Sequence, residues 1–202
     1  MAEPPLVPAK TAVLSMDLQT SIVSIYTKDR PDLIERAAEI LNAARGLGMK
    51  VIHVRVGFRP RLPEVSSRNL LFSSVRNSPQ HQAIFEGAAG EVHPGLAPQA
   101  DDITVVKHRV SAFAGTDLEM ILRANGIDTL VLFGIATSGV VLSTLLEASD
   151  ADYRLMVIED CCADLDAGLH ACLVEKLFPP RGEVLKSSEF LGRLRASAYS
   201  SV

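Results

Sequence analysis

Apolar positions along this chain follow two rhythms, and their alternation predicts the architecture. Short unbroken runs at Thr11–Met16, Lys50–Val56, Ile103–His108, Asp128–Phe133 and Leu155–Glu159 have the length of strands buried on both faces. A weaker run at Glu183–Lys186 predicts a sixth. Between them, apolar residues recur every three or four positions. Leu33, Ile34, Ala37, Ala38, Ile40, Leu41 and Ala44 mark a helix that Pro31 opens and Gly46–Gly48 closes. Further helices are expected over Thr116–Ala124, closed by Asn125-Gly126, and over Thr137–Ser149. Two more fall at Ala167–Phe178, ending before Pro179-Pro180, and near Ser188–Ala196.

Strands alternating with helices predict an α/β protein, a three-layer αβα sandwich on a six-stranded, mostly parallel sheet of Rossmann-like design. Right-handed crossovers then bring the C-terminal ends of the strands to one rim, where open α/β sheets bind ligands. From Gly57 to Gln99 neither rhythm holds, and five prolines are scattered through the stretch. An irregular segment of that length predicts a functional loop or lid. Neither a repeat nor a linker divides the chain, so residues 1–202 are read as a single domain.

Composition narrows the possible partners. The 202 residues are 48% hydrophobic and 22% charged, without tryptophan, which predicts an aliphatic core. Twenty basic against 24 acidic residues give a net charge of −4, a balance that suits neither nucleic acid nor an anionic membrane surface. The start, MAEPPLVPAK, shows no basic region before an apolar stretch, and no run reaches the roughly 20 apolar residues of a membrane helix. Three cysteines, Cys161, Cys162 and Cys172, make neither a disulfide framework nor a zinc pattern. Reduced thiols in a cytoplasmic protein are the expectation. Cys172 falls within a helical apolar pattern and is expected in the core.

Three segments carry chemistry to the expected rim: Asp17-Leu18-Gln19 after the first strand, Lys107-His108-Arg109 at the third, and Gly134–Val140 after the fourth. A carboxylate and an ammonium that converge on a pocket can exchange protons with a substrate. Free backbone N–H groups at the helix start at Thr137 could bind a developing negative charge. Taken singly, each group has a plainer explanation: a turn aspartate, an edge lysine, a helix start.

Together and in this order, the segments resemble the isochorismatase-like superfamily of hydrolases, which includes nicotinamidases and N-carbamoyl amidases. The resemblance runs from about Val13 to Phe190 and is carried by Asp17-Leu18-Gln19, by Lys107 through Phe113 (KHRVSAF), and by Gly134-Ile135-Ala136-Thr137 with Thr144 and Asp160 following. It implies a six-stranded parallel sheet flanked by helices, assembly as a homo-dimer or homo-tetramer, and a small-molecule substrate. It further implies a triad of Asp17, Lys107 and the residue at 140, a cis peptide at Ile135–Ala136, and a turn that includes Thr137 and Gly139.

The chain departs from that pattern at the third position. Amidases of the family have cysteine there; this chain has Val140, which cannot attack a carbonyl carbon. True isochorismatases resemble it in lacking the cysteine, which glycine replaces, and they work by proton transfer and water attack. The expectation is therefore non-covalent acid/base hydrolysis of a small polar molecule, with Asp17 as general acid and Lys107 orienting substrate. A nearby ammonium favours an ionised carboxylate, so burial would have to outweigh it. Two alternatives stand: a catalytically silent member that binds a metabolite or acts as an interaction module, and a cysteine hydrolase using Cys162. Gln19, Arg55, Arg59 and Phe113 are weaker candidates for substrate binding, the arginines for a substrate carboxylate. No metal and no cofactor are expected, because the second strand reads His53-Val54-Arg55 where nicotinamidases carry Asp-x-His, and His81 and His93 lack ligand spacing.

Overall fold

The computed structural model describes residues 6–199. Its core is one six-stranded sheet in the order β3-β2-β1-β4-β5-β6, and all neighbouring strands run parallel. The strands are β1 Thr11–Met16, β2 Lys50–Val56, β3 Ile103–Lys107, β4 Thr129–Ile135, β5 Arg154–Ala163 and β6 Glu183–Leu185. Every residue of β1 and β4 is buried. Their sequences read as unbroken apolar runs because both faces of the central sheet are covered.

Helices cover the two faces. They are α1 Thr20–Tyr26, α2 Leu33–Gly46, α3 Leu70–Arg76, α4 Pro79–Ala83, α5 Leu118–Ala124, α6 Leu142–Asp150, α7 Ala167–Cys172 and α8 Ser187–Tyr199. In α2 the buried positions Leu33, Ala37, Ile40, Leu41 and Ala44 fall on one stripe, the spacing that turns a single helix face to a core. α2 packs on β5, β2 and α8. The connections from β3 through α5 and from β4 through α6 run across the sheet in the opposite sense, so right-handedness sends them to the other face.

Several features differ from the sequence expectation. β4 ends two residues later, at Ile135, and carries its glycine into the sheet. β5 runs on to Ala163, with a register break between Leu132 and Gly134 of its neighbour. Cys161 and Cys162 therefore lie within β5, not after it. The expected helices at Thr137 and Ala167 each contain a π-helical turn, Thr137–Val141 and Leu173–Leu177. The Gly57–Gln99 stretch is not irregular throughout: it holds α3 and α4, whose first turns are capped by Asn69 and Ser78 side chains accepting from Phe72 N and His81 N.

Order reverses at β1, whose neighbours are β2 on one side and β4 on the other. Connections leave that point in opposite directions and open a crevice at the strand ends, the usual ligand site of such sheets.

Candidate active site

Gly134 makes the crevice possible. It has φ +145°, and a Cβ built there would lie 2.0 Å from the Met16 carbonyl oxygen. Only glycine allows β4 to run this close to the end of β1. One residue beyond Met16, Asp17 adopts φ +55° while its N–H donates to Val54 O at 2.8 Å. This left-handed turn, tolerated by aspartate, ends β1 and turns the side chain into the crevice. Lys107 ends β3 beside Val56 of β2 and reaches past that strand to the same place.

There the two charges meet. Lys107 Nζ lies 2.8 Å from Asp17 Oδ2, with side-chain exposures of 2% and 8%. A second lysine N–H donates to Arg109 O at 3.1 Å, which leaves one for a ligand. Asp17 Oδ1 is buried without a hydrogen-bond partner among the described residues. Burial raises the Asp17 pKa and Lys107 lowers it; burial wins, and the carboxyl is pushed up to about 6. That answers the tension left by the sequence, since an acid with such a pKa holds its proton in mildly acidic solution.

Both groups line a cavity of about 480 Å³, within the roughly 300–1,000 Å³ typical of small-molecule sites. Ile135, Ala136, Gly139 and Val140 form part of its wall, and the Ile135–Ala136 peptide is cis. Val140 is 2% exposed. Most of the remaining lining comes from places with little signal in the sequence. α1 supplies Ile22, Ile25 and Tyr26, while α3 supplies Phe72 and Val75 and the turn after α4 supplies Phe85. Phe58 holds the latter group together, stacking edge-on with Phe72 and Phe85 at centroid distances of 5.8 and 5.4 Å. The aromatic and aliphatic positions of TSIVSIY and the caps at Asn69 and Ser78-Pro79 are the signals that could have found them.

Several expected site residues lie elsewhere. Gln19 is fully buried and spends its amide on backbone, donating to Val56 O and Gly90 O and accepting from Val56 N. It staples the strand end to the loop instead of facing a ligand. Arg55 turns to Glu91, 3.5 Å away, and Arg59 to Glu64; neither lines the cavity. Phe113 packs against Tyr153, and Thr137 Oγ1 bonds His170 Nδ1 at 2.8 Å. The free donors expected at the turn are partly spoken for: Ser138 N donates to Asp164 Oδ2, and Gly139 N and Val141 N donate to Ala136 O. Thr144 and Asp160 serve the frame, Thr144 Oγ1 accepting from Ala112 N and Asp160 binding Ser187.

Cys162 is fully buried, its thiol donating to Ile158 O at 3.3 Å. Burial pushes its pKa up to about 12, and it does not line the cavity. Cys172, expected in the core, is exposed, because the π-helical turn that follows it shifts the buried stripe to Leu173 and Val174. His53 Nε2 sits 3.2 Å from Asp102, which Arg45 also binds. Among the described residues no three His, Cys, Asp or Glu side chains are placed to share a metal ion, and no helix is long and apolar enough to cross a membrane.

Comparison with known proteins fits this geometry. Maleamate amidohydrolase from Pseudomonas putida is 27% identical, covering 92% of this chain and 87% of its own. Ureidoacrylate amidohydrolase from Agrobacterium fabrum is 30% identical, covering 96% and 93%. The solved structure of an isochorismatase family protein from Burkholderia thailandensis superposes with a TM-score of 0.83 at 29% identity, covering 95% of this chain and 98% of that one. A family model described as Isochorismatase domain matches residues 11–189, and the chain belongs to the isochorismatase family.

Proposed function

We propose that this protein is a hydrolase that cleaves a small molecule by non-covalent acid/base chemistry. Asp17 is the general acid. Protonated, it gives its proton from the cavity-facing carboxyl to the substrate atom that must gain one as the scissile bond breaks. Water adds to the electron-poor carbon, and its proton returns to Asp17. Lys107 orients the substrate through its remaining N–H and steadies the carboxylate between the two transfers. Val140 offers no nucleophile, so no covalent intermediate forms.

The observation that carries the reading is the carboxyl itself: buried, with Oδ1 unpartnered and its pKa lifted to about 6 despite a lysine at 2.8 Å. Pockets that perturb a carboxyl this way are where acid/base catalysts sit. Amide hydrolysis by the amidohydrolase relatives sets the bond types to try first, together with esters and vinyl ethers. The same reading carries over a reducing, cytoplasmic setting and a homo-dimeric or homo-tetrameric assembly.

A panel of esters, amides and vinyl ethers tests it. For any substrate turned over, kcat/KM is expected to fall about tenfold per pH unit above pH 6, as the acid loses its proton. Asp17→Asn is expected to lose about 100-fold or more. Inactivation by modification of Cys162 would establish a cysteine hydrolase instead, and a panel left untouched by a folded, ligand-binding protein would establish a silent binding module.

A further inference from the structure

The same cavity carries a statement about its substrate, resting on the reading above that Asp17 and Lys107 do the chemistry. With Asp17 ionised, the pair it forms with Lys107 at 2.8 Å is internally neutralised. Among the described residues no guanidinium lines the space, and the other polar residues on the wall are Tyr26, Ser74, His81 and Ser138. His81 belongs to the exposed lip, where Nδ1 already faces Ser74 O at 3.2 Å. Everything else on the wall except the turn glycine is aliphatic or aromatic, and the apolar lining continues to the mouth through Ile25, Leu71 and Leu165, which are 40%, 60% and 68% exposed.

Charge and shape together decide what fits. While Asp17 is ionised, a carboxylate entering this space loses its hydration and finds, among the described lining residues, no cation that is not already matched, which is the costly way to bury an ion. An apolar body gains from every methylene it buries. The third Lys107 N–H and the Asp17 carboxyl can serve one oxygen or nitrogen at the far end. We infer that the substrate is an uncharged molecule with an apolar body and a single polar function, an amide, ester or ether, that docks on the Asp17–Lys107 pair. Maleamate and ureidoacrylate, named in two relatives' activities, each carry a carboxylate, so this chain would differ from them in specificity. Arg55 and Arg59, which do not line the cavity, are held by Glu91 and Glu64.

Binding, measured by calorimetry at pH 8, above the Asp17 pKa of about 6, separates this inference from the catalytic one. The probes are benzamide, 4-methyl- and 4-ethylbenzamide, and 4-carbamoylbenzoate. Affinity is expected to rise about fourfold per added methylene and to fall at least about tenfold on adding the carboxylate. Leu71→Arg, a change at an exposed position on the lip, should narrow or reverse the preference against 4-carbamoylbenzoate. Equal or tighter binding of that anion by the unaltered protein, or no binding of any probe, overturns the inference. Neutral probes that bind with the expected trend and are never hydrolysed leave the substrate class standing and count against the acid/base reading alone.

Discussion

At residue 140 a single side chain decides which chemistry is open. Val140 lines the cavity and contributes nothing that can attack, while the three thiols lie elsewhere: Cys161 and Cys162 inside β5, Cys172 on the surface. Burial pushes the Cys161 thiol pKa up, and that of Cys162 up to about 12, and thiols that stay protonated are inert to alkylating agents. Iodoacetamide is therefore expected to label Cys172 alone in the folded protein, read by mass spectrometry, with hydrolytic activity unchanged. Val140→Cys should add one labelled site beside Asp17; labelling at Cys162 in the unaltered chain would contradict the burial argument. That Asp17, Lys107 and Val140 reach one cavity was legible from strand placement together with the family resemblance. Gln19, Arg55 and Arg59 turn away from the cavity; sequence places a residue at a rim without saying which way its side chain turns. Glu91 and Glu64, distant in sequence, settle that for the arginines.

Elements show the same division between what alternation encodes and what packing adds. Strands β1 to β4 and helix α2 could be read directly, since their burial follows apolar periodicity. Short helices α1, α3 and α4, of seven, seven and five residues, are too brief for a period to stand out and draw their stability from tertiary contacts. They nevertheless supply much of the cavity wall, so its apolar character was hidden from a sequence reading. The approach of β1 and β4 rests on Gly134. Gly134→Ala should force a methyl into the Met16 carbonyl in a backbone region that side chains rarely adopt, costing roughly 3 kcal/mol or more. A urea midpoint lowered by less than a third of that amount would show that the strands can separate cheaply.

For the whole molecule, the buried ion pair that we propose as the catalytic device is also a stability liability. Removing one partner leaves the other uncompensated, at a cost of about 3–5 kcal/mol, whereas replacing both by apolar or neutral groups can be nearly neutral. Asp17→Asn is thus expected to lower the melting temperature. Adding Lys107→Met should recover most of the loss without restoring turnover. Linkage supplies a sign. Because the folded pKa of Asp17, about 6, lies above its ordinary value of 3.8, the native state favours the protonated acid. Its stabilising contribution is full below pH 3.8 and is lost as pH rises through 6. The stability of the unaltered protein relative to the Asp17→Asn/Lys107→Met variant should therefore fall across that window, as followed by urea unfolding at a series of pH values. A difference that grew over the same range would mean that lysine, not burial, dominates the site.

One titration bears on all of this without knowledge of the substrate. Carbon-13 NMR of protein labelled at its aspartate carboxyls, with the Asp17 signal assigned by its absence from Asp17→Asn, reads the acid directly. A midpoint near pH 6 is the expected result; one near 4, in the ordinary aspartate range, would leave the site without a usable proton donor and contradict the account.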